Sequence, residues 1–204
     1  MKTLIAIPCM STVPTGFMTA MLGMDRPEGS MIAVTEGTLI HTARNILAKQ
    51  ALEGGFDRIL WLDSDMRPPR DLMRRLSEHM DDDDSLQFVC GLYFKRRLPL
   101  EPAIYKSVEI RDRGIGKSEI YEDYPMDTLF QIAAAGFGAV MMTTRLYDKA
   151  AQRVECGNPF LPLENLGEDL AFCLRAAAAG GKLYCDSSIK VPHIGYIDYT
   201  EDMT

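Results

Sequence analysis

The run Ile59-Leu60-Trp61-Leu62 constrains this chain more than any other stretch, because it leads without a break into Asp63-Ser64-Asp65. Four consecutive apolar residues fit a strand buried on both faces, as at the centre of a parallel sheet. Carboxylates resist the same surroundings. Either the two aspartates reach water where the strand ends, or a positive group sits between them. Ligands of open α/β sheets gather beyond the carboxyl ends of the strands. The position is therefore a candidate binding site as well as a fold determinant.

The flanking sequence supplies the rest of such a sheet. "TLIAIP" (3–8) and "MIAVT" (31–35) read as further short buried strands, with room for a helix over 15–24. "TARNILAKQALEGG" (42–55) sets Ala43, Ile46, Leu47, Gln50 and Ala51 at helical spacing and stops at Gly54-Gly55. Pro68-Pro69 open another helix with Leu72, Met73, Leu76 and Met80 as its apolar stripe, and Asp81–Asp84 read as a hydrated turn. "LQFVCGLYF" (86–94) is a strand. The first 94 residues thus alternate strand and helix, which predicts an α/β fold: a Rossmann-like mixed, mostly parallel sheet flanked by helices. Further on, 101–130 reads as small edge strands and a loop, and "FQIAAAGFGAVMMT" (130–143) as one strand with a tight turn at its glycines. Helices over 143–154 and 167–181 precede a last strand.

Composition narrows the classes. The 204 residues, without a Pro-, Gly- or Ser-rich linker, predict one domain. A net charge of −7, with "KRR" (95–97) as the main basic block, argues against nucleic acid as a partner. Five widely spaced cysteines read as buried free thiols, not as a disulfide framework or zinc site. The opening lacks signal-peptide character and no stretch has the ~18 apolar residues of a transmembrane segment, so the expected location is cytoplasmic. Oligomeric state is not legible.

Each candidate group has a plain structural alternative. Asp63 and Asp65 either end a strand and cap a turn or begin a divalent-cation site, for which two carboxylates need further ligands. His193, in "VPHIG", is such a ligand or a structural histidine at an apolar strand end. Glu168 and Asp169 open an apolar-faced helix, where acids are favoured by the helix dipole alone.

Taken in order, "IAIPC" (5–9), "HTARNILAKQAL" (41–52), "ILWLDSDM" (59–66), "VCGLYFKR" (89–96), "AAGFGAVMM" (134–142), "GEDLAFCLRAAAAGGKLYCD" (167–186) and "HIG" (193–195) resemble the GT-A superfamily of nucleotide-sugar glycosyltransferases, most closely its small family-2-like bacterial and phage members. The resemblance implies a single GT-A-like domain over 1–204, with 1–94 as the nucleotide-binding half and 95–204 as the sugar and acceptor half. It implies Mn²⁺ or Mg²⁺ held by Asp65 and His193, with Asp63 touching the metal shell or the ribose and Ser64 between them. The loop from Pro8 through Cys9 to Thr12 would hold the base, with Thr35 and Glu36 as weaker candidates. Arg44 and Asn45 would lie behind the nucleotide, Arg44 contacting the donor or Asp63, or else forming a surface ion pair. Gly136 and Gly138 would let backbone approach the sugar, or serve sheet packing. Arg96 is a further donor contact or a solvated charge. Asp169 would be the catalytic base of an inverting transfer, with Glu168 assisting.

The implied partners are a nucleoside-diphosphate-sugar donor and an unidentified acceptor, whether glycan, lipid or protein. Competing readings are a sugar nucleotidyltransferase, which "IPCMSTVPTG" fits poorly for want of a phosphate loop, and an aspartate phosphatase, whose motif belongs on the first strand. A non-catalytic nucleotide-sugar or carbohydrate-binding protein would look the same in sequence.

Overall fold

The structure is a computed structural model that describes residues 1–111 and 115–195. All five residues of the strand Arg58–Leu62 (β3) are buried. On one side it pairs in parallel with Thr3–Cys9 (β1), which pairs in parallel with Met31–Glu36 (β2) at the sheet edge. On the other side β3 meets Ala139–Thr143, which is β9 in chain order and runs antiparallel to it. Beyond β9 come Phe88–Leu92 (β4), Leu183–Lys190 (β10) and Leu129–Ile132 (β7), giving the order β2-β1-β3-β9-β4-β10-β7. β4 and β10 are parallel to each other, whereas β9 and β7 oppose their neighbours. Five strands therefore point one way and two the other, as a mixed, mostly parallel sheet requires.

Side chains alternate across this sheet and build two cores. Ile59 and Trp61 face one side with Leu4, Ala6, Phe88 and Val140. There they meet the helices α2 (Ile40–Glu53), α4 (Thr144–Ala151) and α5 (Glu168–Ala178) through Leu47, Ala51, Leu146 and Phe172. Leu60 and Leu62 face the other side with Ile5, Ile7 and Met141, against α1 (Thr15–Gly23) and α3 (Leu72–Asp82). Helices cover both faces, which explains why β3 carries no polar residue between Arg58 and Asp63. Among the described residues, no helix is long and apolar enough to cross a membrane.

Four expectations need correction. Met31–Glu36, expected as a buried strand, is an edge strand with no fully buried residue. The segment 130–143 is not one strand. It is cut into β7, the two-residue β8 (Ala134–Ala135) and β9, and these join different partners. β8 belongs to a separate small sheet with Ile104–Ile110 (β5) and Gly116–Ile120 (β6), in the order β6-β5-β8. The backbone departs from the ladder at Gly136-Phe137-Gly138, so the chain changes sheets there. The acidic run is also not wholly a hydrated turn, since Asp81 lies in α3 and accepts a 2.6 Å bond from the buried Arg58. Of the free cysteines, Cys90, Cys173 and Cys185 are buried as expected, but Cys156 is exposed.

The core under the site is aromatic. Phe137 lies edge-on to Trp61, Phe88, Phe160 and Phe172, with centroids 5.1–6.0 Å apart. Truncation there removes four aromatic contacts at once and leaves a cavity that rigid neighbours fill poorly. Phe137→Ala should therefore lower unfolding stability by about 3–5 kcal/mol in urea titrations. A loss below about 1 kcal/mol would mean that the cluster does not hold α5 against the sheet.

Candidate functional site

The end of β3 is pinned from two sides before any side chain is considered. Asp63 donates its backbone N–H to Gly138 O at 3.2 Å, and Met66 donates to Asp63 O at 3.1 Å, closing a turn. The segment after β10 then lies alongside. Arg67 N–H bonds Pro192 O at 2.8 Å and Ile194 N–H bonds Asp65 O at 2.7 Å. This pairing sets His193 opposite Met66, and its ring reaches the neighbouring Asp65, with His193 Nε2 3.3 Å from Asp65 Oδ2. The other ring nitrogen, Nδ1, lies 2.9 Å from the Phe94 carbonyl, to which it donates. That bond turns Nε2 toward the carboxylate.

Asp63 takes the other course. Its Oδ1 accepts from Arg44 Nη2 at 2.8 Å, and Arg44 Nε also donates to Glu168 Oε1 at 3.2 Å. Arg44 projects from α2 and is only 2% exposed. Its guanidinium sits 5.2 Å from the Phe137 ring centroid and 5.7 Å from that of Trp61. So a positive group does sit at the end of the apolar run, and it ties the Asp63 turn to the first turn of α5. Burial opposes the Arg44 charge, but Asp63, Glu168 and Asp169 outweigh it and raise the guanidinium's affinity for its proton. Arg44 Nη1 has no hydrogen-bond partner among the described residues.

Asp169 is adjacent but unpaired by Arg44. Its Oδ1 accepts from the Leu170 backbone at 2.7 Å. Burial first, then the neighbouring Glu168 charge, pushes its carboxyl up to about 6, with Arg44 opposing and Asp63 adding to the rise. Tyr93, just after β4, faces both Asp63 and Asp169, and burial together with these charges holds its phenol well above the usual value. Tyr93 is therefore a neutral hydroxyl at the heart of the site, and its ring stands edge-on to His193 at 5.5 Å. The sequence reading missed it. The signal was the glycine pair, for a Cβ on Gly136 would lie 2.0 Å from the Tyr93 hydroxyl and one on Gly138 2.9 Å from its ring.

The other expected residues divide. Pro8, Cys9, Asp63, Ser64 and Asp65 line one hollow of about 280 Å³, together with Met10, Thr38, Ile40 and Ala43. Thr12, Thr35 and Glu36 are not in that lining. Thr35 and Glu36 lie on β2 beside Pro8 and Cys9, and Thr12 is exposed. Asn45 turns away. Its amide donates to His41 O and accepts from Tyr147 and the Phe160 backbone, so its polar atoms are spent inside the fold. Gly136 and Gly138 make room for Tyr93 rather than leaving open backbone for a sugar. Arg96 reaches the site, with Nη2 3.0 Å from Asp65 Oδ2.

The expected metal trio does not assemble. Among the described residues, no three His, Cys, Asp or Glu side chains gather as a cation site. Asp63 is missing from the trio because Arg44 holds it. What remains is a facing pair, Asp65 Oδ2 and His193 Nε2, in which burial works against the Asp65 charge while His193 and Arg96 hold it below the usual carboxylate range. Two such donors match a Mg²⁺-like or Mn²⁺-like cation only when water and substrate phosphate fill the other positions.

No protein-family model matches the chain, and no curated protein does. Solved structures match. A197 from STIV is similar over 97% of this chain and 87% of its own, with 19% identity and a TM-score of 0.68. GalNAc-T7, crystallised with UDP, GalNAc and Mn²⁺, is similar over 97% of this chain with 11% identity and a TM-score of 0.64. This chain spans 44% of that one. At these identities the likeness is one of fold, and the architecture is GT-A-like.

Removing the Arg44 guanidinium leaves Asp63 and Glu168 facing each other, half-buried and unneutralised. Arg44→Ala should cost about 3–5 kcal/mol at pH 7. The loss should shrink as pH falls, because protonation relieves the repulsion among the acids that the cation had stabilised. Urea titrations at two pH values check both the size and the sign.

Proposed function

We infer that the protein is a cation-dependent glycosyltransferase, moving a sugar from a nucleoside-diphosphate-sugar to an acceptor hydroxyl with inversion. The observation that carries this reading is the joining of two acidic pairs around Arg44. That residue binds Asp63 and Glu168, leaving Asp65 turned to His193 and Asp169 without an ion-pair partner among the described residues. One acidic group is thus spent on each structural contact while its neighbour is left for chemistry. The GT-A-like fold supports the reading, as does the similarity to GalNAc-T7, which was crystallised with UDP, GalNAc and Mn²⁺. We assign the chain to the small family-2-like members on its motif order.

In this reading residues 1–204 act as one domain, the first 94 providing the nucleotide side and the remainder the sugar and acceptor side. The nucleotide enters the hollow between Pro8, Cys9, Thr38 and Ser64, with Thr35 and Glu36 paired to Pro8 and Cys9 on the neighbouring strand. Asp65 and His193 would hold Mn²⁺ or Mg²⁺, which when bound offsets the charge that grows on the diphosphate. Asp169 takes the acceptor's proton while the acceptor oxygen bonds the anomeric carbon. The diphosphate leaves with the electron pair of the broken C–O bond. A base must be unprotonated near its working pH yet still basic, and a carboxyl raised to about 6 by burial meets both needs. Arg44 holds Asp63 and Glu168, while the neutral Tyr93 lies under the charge of Asp63 and Asp169.

Two outcomes test this. Asp65→Asn should weaken Mn²⁺-dependent binding of nucleoside diphosphate, measured calorimetrically over UDP, GDP and ADP, without loss of folding. Equal affinity in the variant for every diphosphate that binds would remove Asp65 from the donor site. Asp169→Asn should keep that binding and lower the rate of sugar transfer, or of nucleoside diphosphate release, by about 10²–10⁴-fold.

The pH profile carries the sign of the same assignment. The groups facing Asp169 are Glu168, Arg44, Asp63, Tyr93 and Cys173, and their balance raises its pKa. Activity should therefore climb as pH rises toward about 6 and level off above it. Asp169→Asn should abolish this limb. Because its raised pKa makes the ionised Asp169 a burden on folding above that pH, the variant should also melt no lower than the parent at pH 7. Binding without turnover across all nucleotide sugars would favour a non-catalytic binding protein.

A further inference from the structure

We propose that Arg96 is a built-in stand-in for the divalent cation: it occupies Asp65 while the cation is away and gives the carboxylate up when cation and diphosphate arrive together. The proposal rests on the donor-site reading of Asp65 and His193. It concerns a residue whose sequence alone left it as a donor contact or a solvated charge.

The geometry is specific to one oxygen. Asp65 Oδ2 is 3.3 Å from His193 Nε2 and 3.0 Å from Arg96 Nη2, while Asp63 is held elsewhere. A cation coordinated by that oxygen and by Nε2 would stand about 2.0–2.2 Å from each. The Arg96 guanidinium already lies against the same oxygen, and two positive groups cannot share it without strong repulsion. Cation and Arg96 are therefore alternative partners of Asp65.

The surroundings let Arg96 leave without disturbing the fold. Its backbone lies in a hairpin closed by Lys95 N–H to Glu101 O and Ala103 N–H to Tyr93 O, both at 2.9 Å. Its neighbours Lys95 and Arg97 are both paired with Glu101. Arg96 is instead half exposed, and among the described residues its remaining hydrogen bond is a long one of 3.5 Å from Nη1 to Ile194 O. A Cβ on Gly195 would come 3.4 Å from Arg96 Cδ, so the side chain lies along the bare backbone of Gly195. The side chain can swing while the hairpin stays. Once displaced, it stands beside the place where phosphate oxygens must complete the cation's coordination, and it offers them a positive partner. Cation and diphosphate should then bind with positive coupling, because the anion gives Arg96 somewhere to go.

Mn²⁺ binding to the whole chain, followed through the EPR signal of free Mn²⁺, tests this without requiring activity. Arg96→Gln should bind Mn²⁺ alone about tenfold more tightly or better than the parent, whereas Arg96→Lys, which keeps the charge, should stay near the parent value. Adding UDP, GDP or ADP should raise Mn²⁺ affinity strongly in the parent and much less in Arg96→Gln. The proposal is overturned if Arg96→Gln binds Mn²⁺ alone no better than the parent, if Arg96→Lys gains as much as Arg96→Gln, or if the nucleotide-linked gain is the same in both. Asp65→Asn separates the two layers. If it leaves Mn²⁺ binding untouched, the donor-site reading fails and the Arg96 proposal goes with it. If it removes Mn²⁺ binding while Arg96→Gln gains nothing, only the role of Arg96 falls.

Discussion

The buried guanidinium of Arg44 is the interaction around which the functional end of the molecule is arranged. A cation in the interior is costly by itself, and so are the carboxylates of Asp63 and Glu168. Together, with two hydrogen bonds and two aromatic faces, they form a compensated unit. The unit joins three elements distant in sequence: the second turn of α2, the end of β3 and the start of α5. It also solves the problem posed by an apolar strand that ends in acids, since Asp63 need not seek water. Asp65, two residues on, is thereby left to a different set of neighbours.

The division of labour within each acidic pair follows from local geometry. Across the turn after β3, Asp63 points back to Arg44 and Asp65 meets the chain leaving β10. At the opening of α5, Glu168 reaches Arg44 while Asp169 bonds the backbone next to it. In both pairs one carboxylate is neutralised within the fold. The other is shaped differently by its environment: Asp65 is made more acidic by His193 and Arg96 against its burial, and Asp169 less acidic by burial. On the proposed reading, the first would serve a cation and the second would accept a proton.

The fold was largely legible in the sequence and the contacts of the site less so, for reasons that differ by element. The strand Arg58–Leu62 and the helices around it follow from periodicity and from glycine and proline punctuation, which act locally. Arg44 was singled out through the resemblance, with Asp63 as one of its possible partners; its burial and its bond to Glu168 depend on how α5 meets α2 in three dimensions. Asn45 was misjudged because one step along a helix turns a side chain by about 100°, and its amide meets Tyr147 and Phe160 instead. Tyr93 was invisible for a different reason. Nothing near it in sequence announces that Gly136 and Gly138, over forty residues later, are small because its ring lies on them. The contact of Arg96 with Asp65 likewise depends on a hairpin and a strand exit that meet only in three dimensions.

The position of β9 has a consequence for how the chain can acquire its shape. β3 and β4 lie on either side of a strand that is made more than forty residues after β4. During synthesis, β4 emerges with neither of its sheet neighbours yet present, since β9 and β10 both come later. The early half cannot close its own sheet and must wait, with the edge of β3 toward β9 unpaired, until residues 139–143 thread between the two strands. Such non-local pairing delays the reward for ordering the chain. The central strand of the finished sheet is thus a late arrival, and a nascent chain interrupted before it would expose both flanking strand edges to other chains.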